Sequence, residues 1–268
     1  MEIVWMVYFA IVGVVIGSFL NVCIYRIPKE ENIAYPPSHC GSCGKRLNVF
    51  DLVPVFSWLF LKGKCRYCSS IISPRYAVVE LLTGLTFALL FNTYGLSVDF
   101  FASAFLMSIL IAVFFIDLDH KIIPDGLVLT GLIAGVFIII YNAIFPMQIY
   151  GTGRWWDPIL GIIAGSGTLM IIGIVGMMVY KTDEAMGGGD IKIFAPIGIF
   201  LGWKMTFVAL LISVVLAGII SFILIVLKVK DRKSTIPFGP FIVMGTLITY
   251  LYGWDILNLY VNTMIANM

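Results

Sequence analysis

Two acidic clusters sit at the ends of apolar runs: Asp117, Asp119 and Asp125 in FFIDLDHKIIPD at 114–125, and Asp190 in MGGGDIK at 186–192. A carboxylate beside hydrocarbon is costly, so it either faces a polar cavity and acts there or takes up a proton. Two such groups at one membrane face form a pair that cannot easily ionise twice. The ionised member can deprotonate water while the other donates a hydrogen bond to a carbonyl. That is the minimum equipment for aspartyl-type hydrolysis.

Each residue also has a plainer reading. Asp125 follows Pro124 and suits the first turn of a helix. Asp119, His120 and Lys121 can form the solvated tip of a short loop. Asp117 resists this, because it directly follows the apolar run from Phe100. Gly187, Gly188 and Gly189 let backbone or an extended peptide pass closely and leave Asp190 at a helix entrance. A flexible turn with a capping aspartate fits the same string. Glu80, near the end of another apolar run, can snorkel, pair with a base or line the same cavity.

Four cysteines form a second constellation. Cys40-Gly-Ser-Cys43 and Cys65-Arg-Tyr-Cys68 are CxxC pairs separated by 21 residues. Each supplies two thiolates, and two pairs complete a tetrahedral structural Zn2+ site. Gly41 and Gly44 suit tight knuckle turns. Redox-active thiols compete with this reading, and the duplicated spacing argues against them. His39 is a further possible ligand, although four cysteines already fill the shell. Cys23 lies in an apolar run and reads as a small buried residue. The loop's modest charge and membrane anchoring argue against nucleic acid as a partner.

The elements that must position these groups are membrane helices. The chain is 60% hydrophobic and 12% charged, more apolar surface than a soluble protein of this length can hide. No short alternating segments suggest a β-barrel. The expected fold class is an all-α integral membrane protein with about eight transmembrane helices and a small cytoplasmic zinc-binding loop domain. The spans fall near 3–25, 77–94, 100–116, 124–145, 158–180, 193–203, 205–227 and 237–252. The sixth is short and can fuse with its neighbour or fold back against it. Three domains follow: a first transmembrane helix at 1–25, a cytoplasmic loop at 26–76 with the paired CxxC site, and a multi-helix membrane domain at 77–268.

No basic region precedes the first apolar run and no small-residue cleavage site ends it, so it reads as a retained anchor with its N-terminus outside. That orientation puts 15 of the 17 Lys and Arg residues inside, leaving only Arg154 and Lys204 outside. Omitting the sixth span would move Lys228, Lys230, Arg232 and Lys233 outside, against the positive-inside rule. Both acidic clusters then lie on the cytoplasmic side. Gly161, Gly165, Gly173 and Gly176 read as close helix packing, and Trp155, Trp156, Trp203 and Trp254 as interfacial anchors.

With these motifs in order, the chain resembles the type IV prepilin peptidase family of GxGD-type membrane aspartic proteases. GSFLNVCIYRIP at 17–28 resembles the family's N-terminal signature. The paired CxxC loop, IDLDHKIIPD at 116–125, GGGD at 187–190 and PFGPF at 237–241 follow. The resemblance implies Asp117 and Asp190 as the catalytic pair, with Asp119 as the alternative to Asp117, and Gly187, Gly188 and Gly189 in substrate or backbone positioning. It also implies a bacterial inner-membrane enzyme with its site at the cytoplasmic face. Such an enzyme removes the short basic leader of prepilins or pseudopilin precursors after a glycine. Members with all four loop cysteines also N-methylate the mature pilin from S-adenosylmethionine, and this cofactor enters by resemblance alone. Glu30, Glu31, Asp183 and Glu184 can attract a basic leader, or are simply solvated.

Two readings from other classes compete. A proton-coupled transporter would spread carboxylates through several spans at mid-membrane depth, whereas these lie at one edge. A membrane adaptor with a zinc loop would work without its aspartates.

Overall fold

The computed structural model describes residues 1–151, 154–181, 186–229 and 236–266. The chain divides into two compact units, Met1–Leu96 and Ser97–Met268. Among the described residues seven helices are long and apolar enough to cross a membrane. The chain is a multi-pass, all-helical membrane protein.

In the first unit, α1 (Glu2–Arg26) and α3 (Arg75–Tyr94) form an antiparallel pair. Phe9 stacks on Phe91 with ring centroids 5.0 Å apart, and Asn21 donates to the Tyr76 carbonyl at 3.0 Å. Between them the crossing is tight enough to exclude side chains. A methyl on Gly13 would lie 2.9 Å from Gly84 Cα, and one on Gly17 would lie 2.7 Å from Glu80 Cα. The intervening segment contains the short α2 (Phe56–Phe60) and both CxxC turns.

The second unit begins with α4 (Val98–His120) and α5 (Asp125–Ile144). Next come α6 (Asp157–Ile162), a π turn at Ile163–Gly167 and α7 (Thr168–Tyr180). The last two elements are α8 (Gly188–Val226) and α9 (Gly239–Ala266). The α4 helix runs past the expected loop tip at 119–121. Lys121 closes it in a left-handed conformation (φ 55°) and donates its N–H to the Asp117 carbonyl at 2.9 Å. Asp125 does start α5, behind Pro124, and its carboxylate also bridges to Lys192 at 2.9 Å.

The α8 segment is a hairpin. Gly202 has φ 70° and ψ 169°, outside any helix. A methyl on Gly165 would meet both Phe194 Cβ and Thr206 Cγ2 at 3.1 Å, whereas a straight helix would hold those residues about 18 Å apart. The chain therefore folds back, and the seven long helices provide eight helical arms. The sixth and seventh expected spans are the arms at 188–201 and 203–226. Tyr150 packs where a Gly202 side chain would go and donates to the Ile199 carbonyl at 2.8 Å.

Glycines seat the first arm among its neighbours. Gly161 and Gly198 meet backbone to backbone, and Gly131 and Gly135 admit Pro196 and Ile199. The π turn lets Ser166 donate to the Ile191 carbonyl at 2.7 Å. The close-packing reading thus holds at Gly161 and Gly165; Gly173 is looser, with Met186 Cβ at 3.6 Å from a built methyl.

Candidate functional site

At one end of the second unit, the last turn of α4, the start of α8 and the start of α9 converge. Asp117 is 5% exposed and accepts the Gly239 backbone N–H on Oδ2 at 2.9 Å. That donor is one of the helix-start N–H groups that lack an intrahelical acceptor, so the α9 N-terminus holds the carboxylate in place. Asp119 lies two residues further along α4 and is exposed. A two-residue step turns a helix by about 200°, which points Asp119 away from the face Asp117 occupies.

Asp190 is the third residue of α8, half-buried, with its backbone N–H donating to Gly187 O at 3.1 Å. Its carboxylate folds back towards Gly187, where an added methyl would lie 2.8 Å from Oδ2. Gly189 packs on Ile123, with a built methyl 3.0 Å from its Cβ, whereas Gly188 faces open space. The three glycines thus have three different surroundings: under the carboxylate, open, and against the α4–α5 connection. Asp117 in the last turn of α4 and Asp190 in the first turn of α8 lie at the same end of the unit, with Gly189 packed on the α4–α5 connection that follows Asp117. Asp125 stays outside this pair, exposed and bridged to Lys192. Asp183 and Glu184 lie outside the described residues, as do Lys230, Arg232 and Lys233.

Gly239 is the residue that sequence reasoning missed. PFGPF at 237–241 was legible as a motif, and Pro240 just inside a helix start is a recognisable signal. Its role emerges only from the contact with Asp117. A methyl there would sit 2.6 Å from Asp117 Oδ2.

In the first unit the two CxxC turns repeat one another. Cys40 N–H donates to Lys45 O at 2.9 Å, and Cys65 N–H to Ser70 O at 2.8 Å. Gly44 and Ser69 occupy the same left-handed position, at φ 68° and 59°. Isolated β-bridges join His39 to Arg46 and Lys64 to Ile71. Of the two expected turn glycines only Gly44 lies at the positive φ that favours glycine, a position Ser69 fills in the second turn; a side chain at either glycine would meet open space.

The four thiols of Cys40, Cys43, Cys65 and Cys68 lie within 4.8 Å of one another, with Cys40 Sγ to Cys68 Sγ at 3.8 Å. A tetrahedral zinc with Zn–S bonds of about 2.3 Å needs S···S edges of about 3.8 Å, so the donors fit. The backbone N–H groups of Cys43 and Ser42, with Ser70's hydroxyl, pull the Cys40 thiol down to about 5. His39 is turned to the Pro37 carbonyl at 3.1 Å and lies outside the thiol cluster.

Two buried charges hold this segment to the helices. Arg26 donates to the carbonyls of Asn32 (2.9 Å), Ile33 (3.1 Å) and Pro36 (2.6 Å). Glu80 accepts the Val55 N–H at 2.6 Å and a Ser18 hydrogen bond. Of the readings open for Glu80, the structure shows a carboxylate that ties the segment to α1 and α3.

A multi-helix membrane protein with a carboxylate pair in one unit and a four-thiol cluster in the other defines a narrow class. Residues 11–94 match the bacterial peptidase A24 N-terminal domain, and residues 104–222 match the type IV leader peptidase family. The chain belongs to the type IV leader peptidase family and is an enzyme. A prepilin leader peptidase/N-methyltransferase of Bacillus subtilis is 33% identical, over 94% of this chain and 96% of that protein. The protein of that name from Aeromonas salmonicida is 31% identical over 96% and 95%. The one from Myxococcus xanthus is 34% identical over 82% of this chain, spanning 63% of its own length. No solved structure matches the chain.

Proposed function

We propose that this chain is a membrane aspartic endopeptidase that removes the leader of type IV prepilins or pseudopilin precursors, with Asp117 and Asp190 as its catalytic pair. The observation that carries the pair is their convergence at one end of the unit: one buried and fixed by the α9 N-terminus, the other at the α8 entrance, whose Gly189 packs on the connection that follows Asp117. The ionised member takes a proton from a bound water, whose oxygen attacks the scissile carbonyl carbon. The protonated member donates a hydrogen bond to the carbonyl oxygen. When the tetrahedral adduct breaks its C–N bond, the carboxyl that took the water's proton passes it to the departing amine, which restores the singly protonated pair, and no acyl-enzyme forms. Open space at Gly188 leaves room for an extended substrate backbone beside Asp190.

Basic residues support a cytoplasmic location for this end. Lys121, Lys181, Lys192 and Lys228 flank the helices there, while Arg154 and Lys204 lie at the other end. The N-terminus is then outside and the membrane is the bacterial inner one. In the first unit, Cys40, Cys43, Cys65 and Cys68 hold a structural zinc. The relatives' second activity supports N-methylation of the newly exposed amine by this chain. S-adenosylmethionine would supply the methyl group.

The test is cleavage of a purified prepilin in lipid by wild type, Asp117→Asn, Asp119→Asn and Asp190→Asn, all checked for folding. Loss with Asp117→Asn and Asp190→Asn alone supports the pair. Loss with Asp119→Asn in place of Asp117→Asn relocates it, and activity in all three variants overturns the mechanism.

A further inference from the structure

Residues 49–60 carry an apolar surface left open in the first unit. Val49 is 80% exposed, Phe50 78%, Phe56 59% and Phe60 82%. Phe56 and Phe60 stack at 6.4 Å, and an open groove of about 260 Å³ runs between them, Phe50, Val53 and Arg66. A patch of this kind in water invites association.

Its depth follows from one hydrogen bond. Val55 N–H is held by Glu80 at 2.6 Å, and Glu80 lies about 7.5 Å along α3 from Arg75. Around that level Tyr76, Val78 and Leu81 of α3 are exposed apolar side chains, which on a membrane helix face lipid. Glu80 also sits at the crossing with Gly17, roughly 13 Å inward from Arg26 along α1. The chain at Val55 is therefore held beside the apolar band of the helix pair and not above it. Charge points the same way. Asp51, the acid in this stretch, is paired with Arg66 at 2.6 Å, while Lys62 and Lys64 just beyond the patch are exposed.

We propose that residues 49–61 lie in the bilayer interface. Phe50, Phe56 and Phe60 enter the acyl boundary, and Lys62 and Lys64 meet anionic headgroups. The segment then anchors the cysteine turns at the membrane surface, independently of how the peptidase reading fares.

The test uses full-length protein in vesicles of phosphatidylethanolamine and phosphatidylglycerol. A photo-crosslinking phenylalanine analogue is introduced at Phe50, at Phe60 or, as a control, at Arg46, and adducts are read by mass spectrometry. Lipid adducts at 50 and 60 should exceed those at 46 by about tenfold, the partition that burying a Phe side chain implies. Adducts mainly to other parts of the chain, to a second copy or to added prepilin would overturn the proposal. Hydroxyl-radical footprinting of the unmodified protein gives a second readout. Phe50 and Phe60 should be protected in vesicles while Tyr35, 73% exposed, is labelled; equal labelling of all three refutes the anchor.

Discussion

Asp117 and Asp119 differ by one helical half-turn, and that separates a buried, hydrogen-bonded carboxylate from an exposed one. Sequence spacing left both open because it carries no phase for the last turn of α4 until the helix is known to continue through His120. Asp119→Asn should therefore keep most cleavage activity, whereas Asp117→Asn should lose it by several orders of magnitude. Gly239 makes a subtler claim. Gly239→Ala should displace Asp117 without touching substrate, lowering kcat by about 10- to 100-fold with little change in KM. Steady-state kinetics on a soluble leader peptide separates the two parameters, and a KM effect alone would count against the positioning role. In the first unit, burial works to raise the Asp51 carboxyl, but hydrogen bonds from Arg66, Asn48 and Tyr67 and the Arg66 charge hold it below the usual carboxylate range. The group is thus depressed on folding, so its contribution is present above about pH 4 and fades as acid protonates it. Arg66 is half exposed, so the effect is screened and modest. Asp51→Asn should flatten the loss of loop structure below pH 4, followed by Trp58 environment.

Helix number and most helix positions were legible from apolar length and positive-charge distribution, because both are set by the bilayer. The same charge rule separated the sixth and seventh spans and left a fold-back open, but what turns the chain was not legible, because it depends on one residue with positive φ and a tyrosine from a distant loop. Gly202→Val should strain that backbone and collide with Tyr150, lowering the thermal midpoint or abolishing folded protein. Tyr150→Phe keeps the ring and removes the Ile199 hydrogen bond, so its cost should be nearer 1 kcal/mol. Comparing the two melts in the same detergent separates packing at the turn from its hydrogen bond. Glu80 was likewise visible as an anomaly without a partner, since Val55 contacts it only after the intervening chain has folded back.

Across the whole molecule, the duplicated CxxC spacing was the clearest long-range signal, since a four-thiolate shell demands both turns at once. Purified protein should bind about one zinc per chain. A strong chelator, or Cys43→Ser, should expose residues 27–74 to proteolysis while α1 and α3 remain intact by fragment mass. Metal-free protein with an unchanged digestion pattern would remove the structural role. The α8 hairpin bears on the surrounding membrane as well. Its first arm, 188–201, extends only about 21 Å, against a hydrocarbon thickness near 30 Å. A turn held at the far headgroups by Tyr150 would then leave Asp190, and the Lys192–Asp125 bridge one step beyond it, below the nearer ones unless the lipid beside them thins or water descends to them. Turnover should then depend on acyl length, rising in short-chain bilayers and falling in long-chain ones as the mismatch grows. A prepilin leader would be cut most readily where the membrane is thinnest.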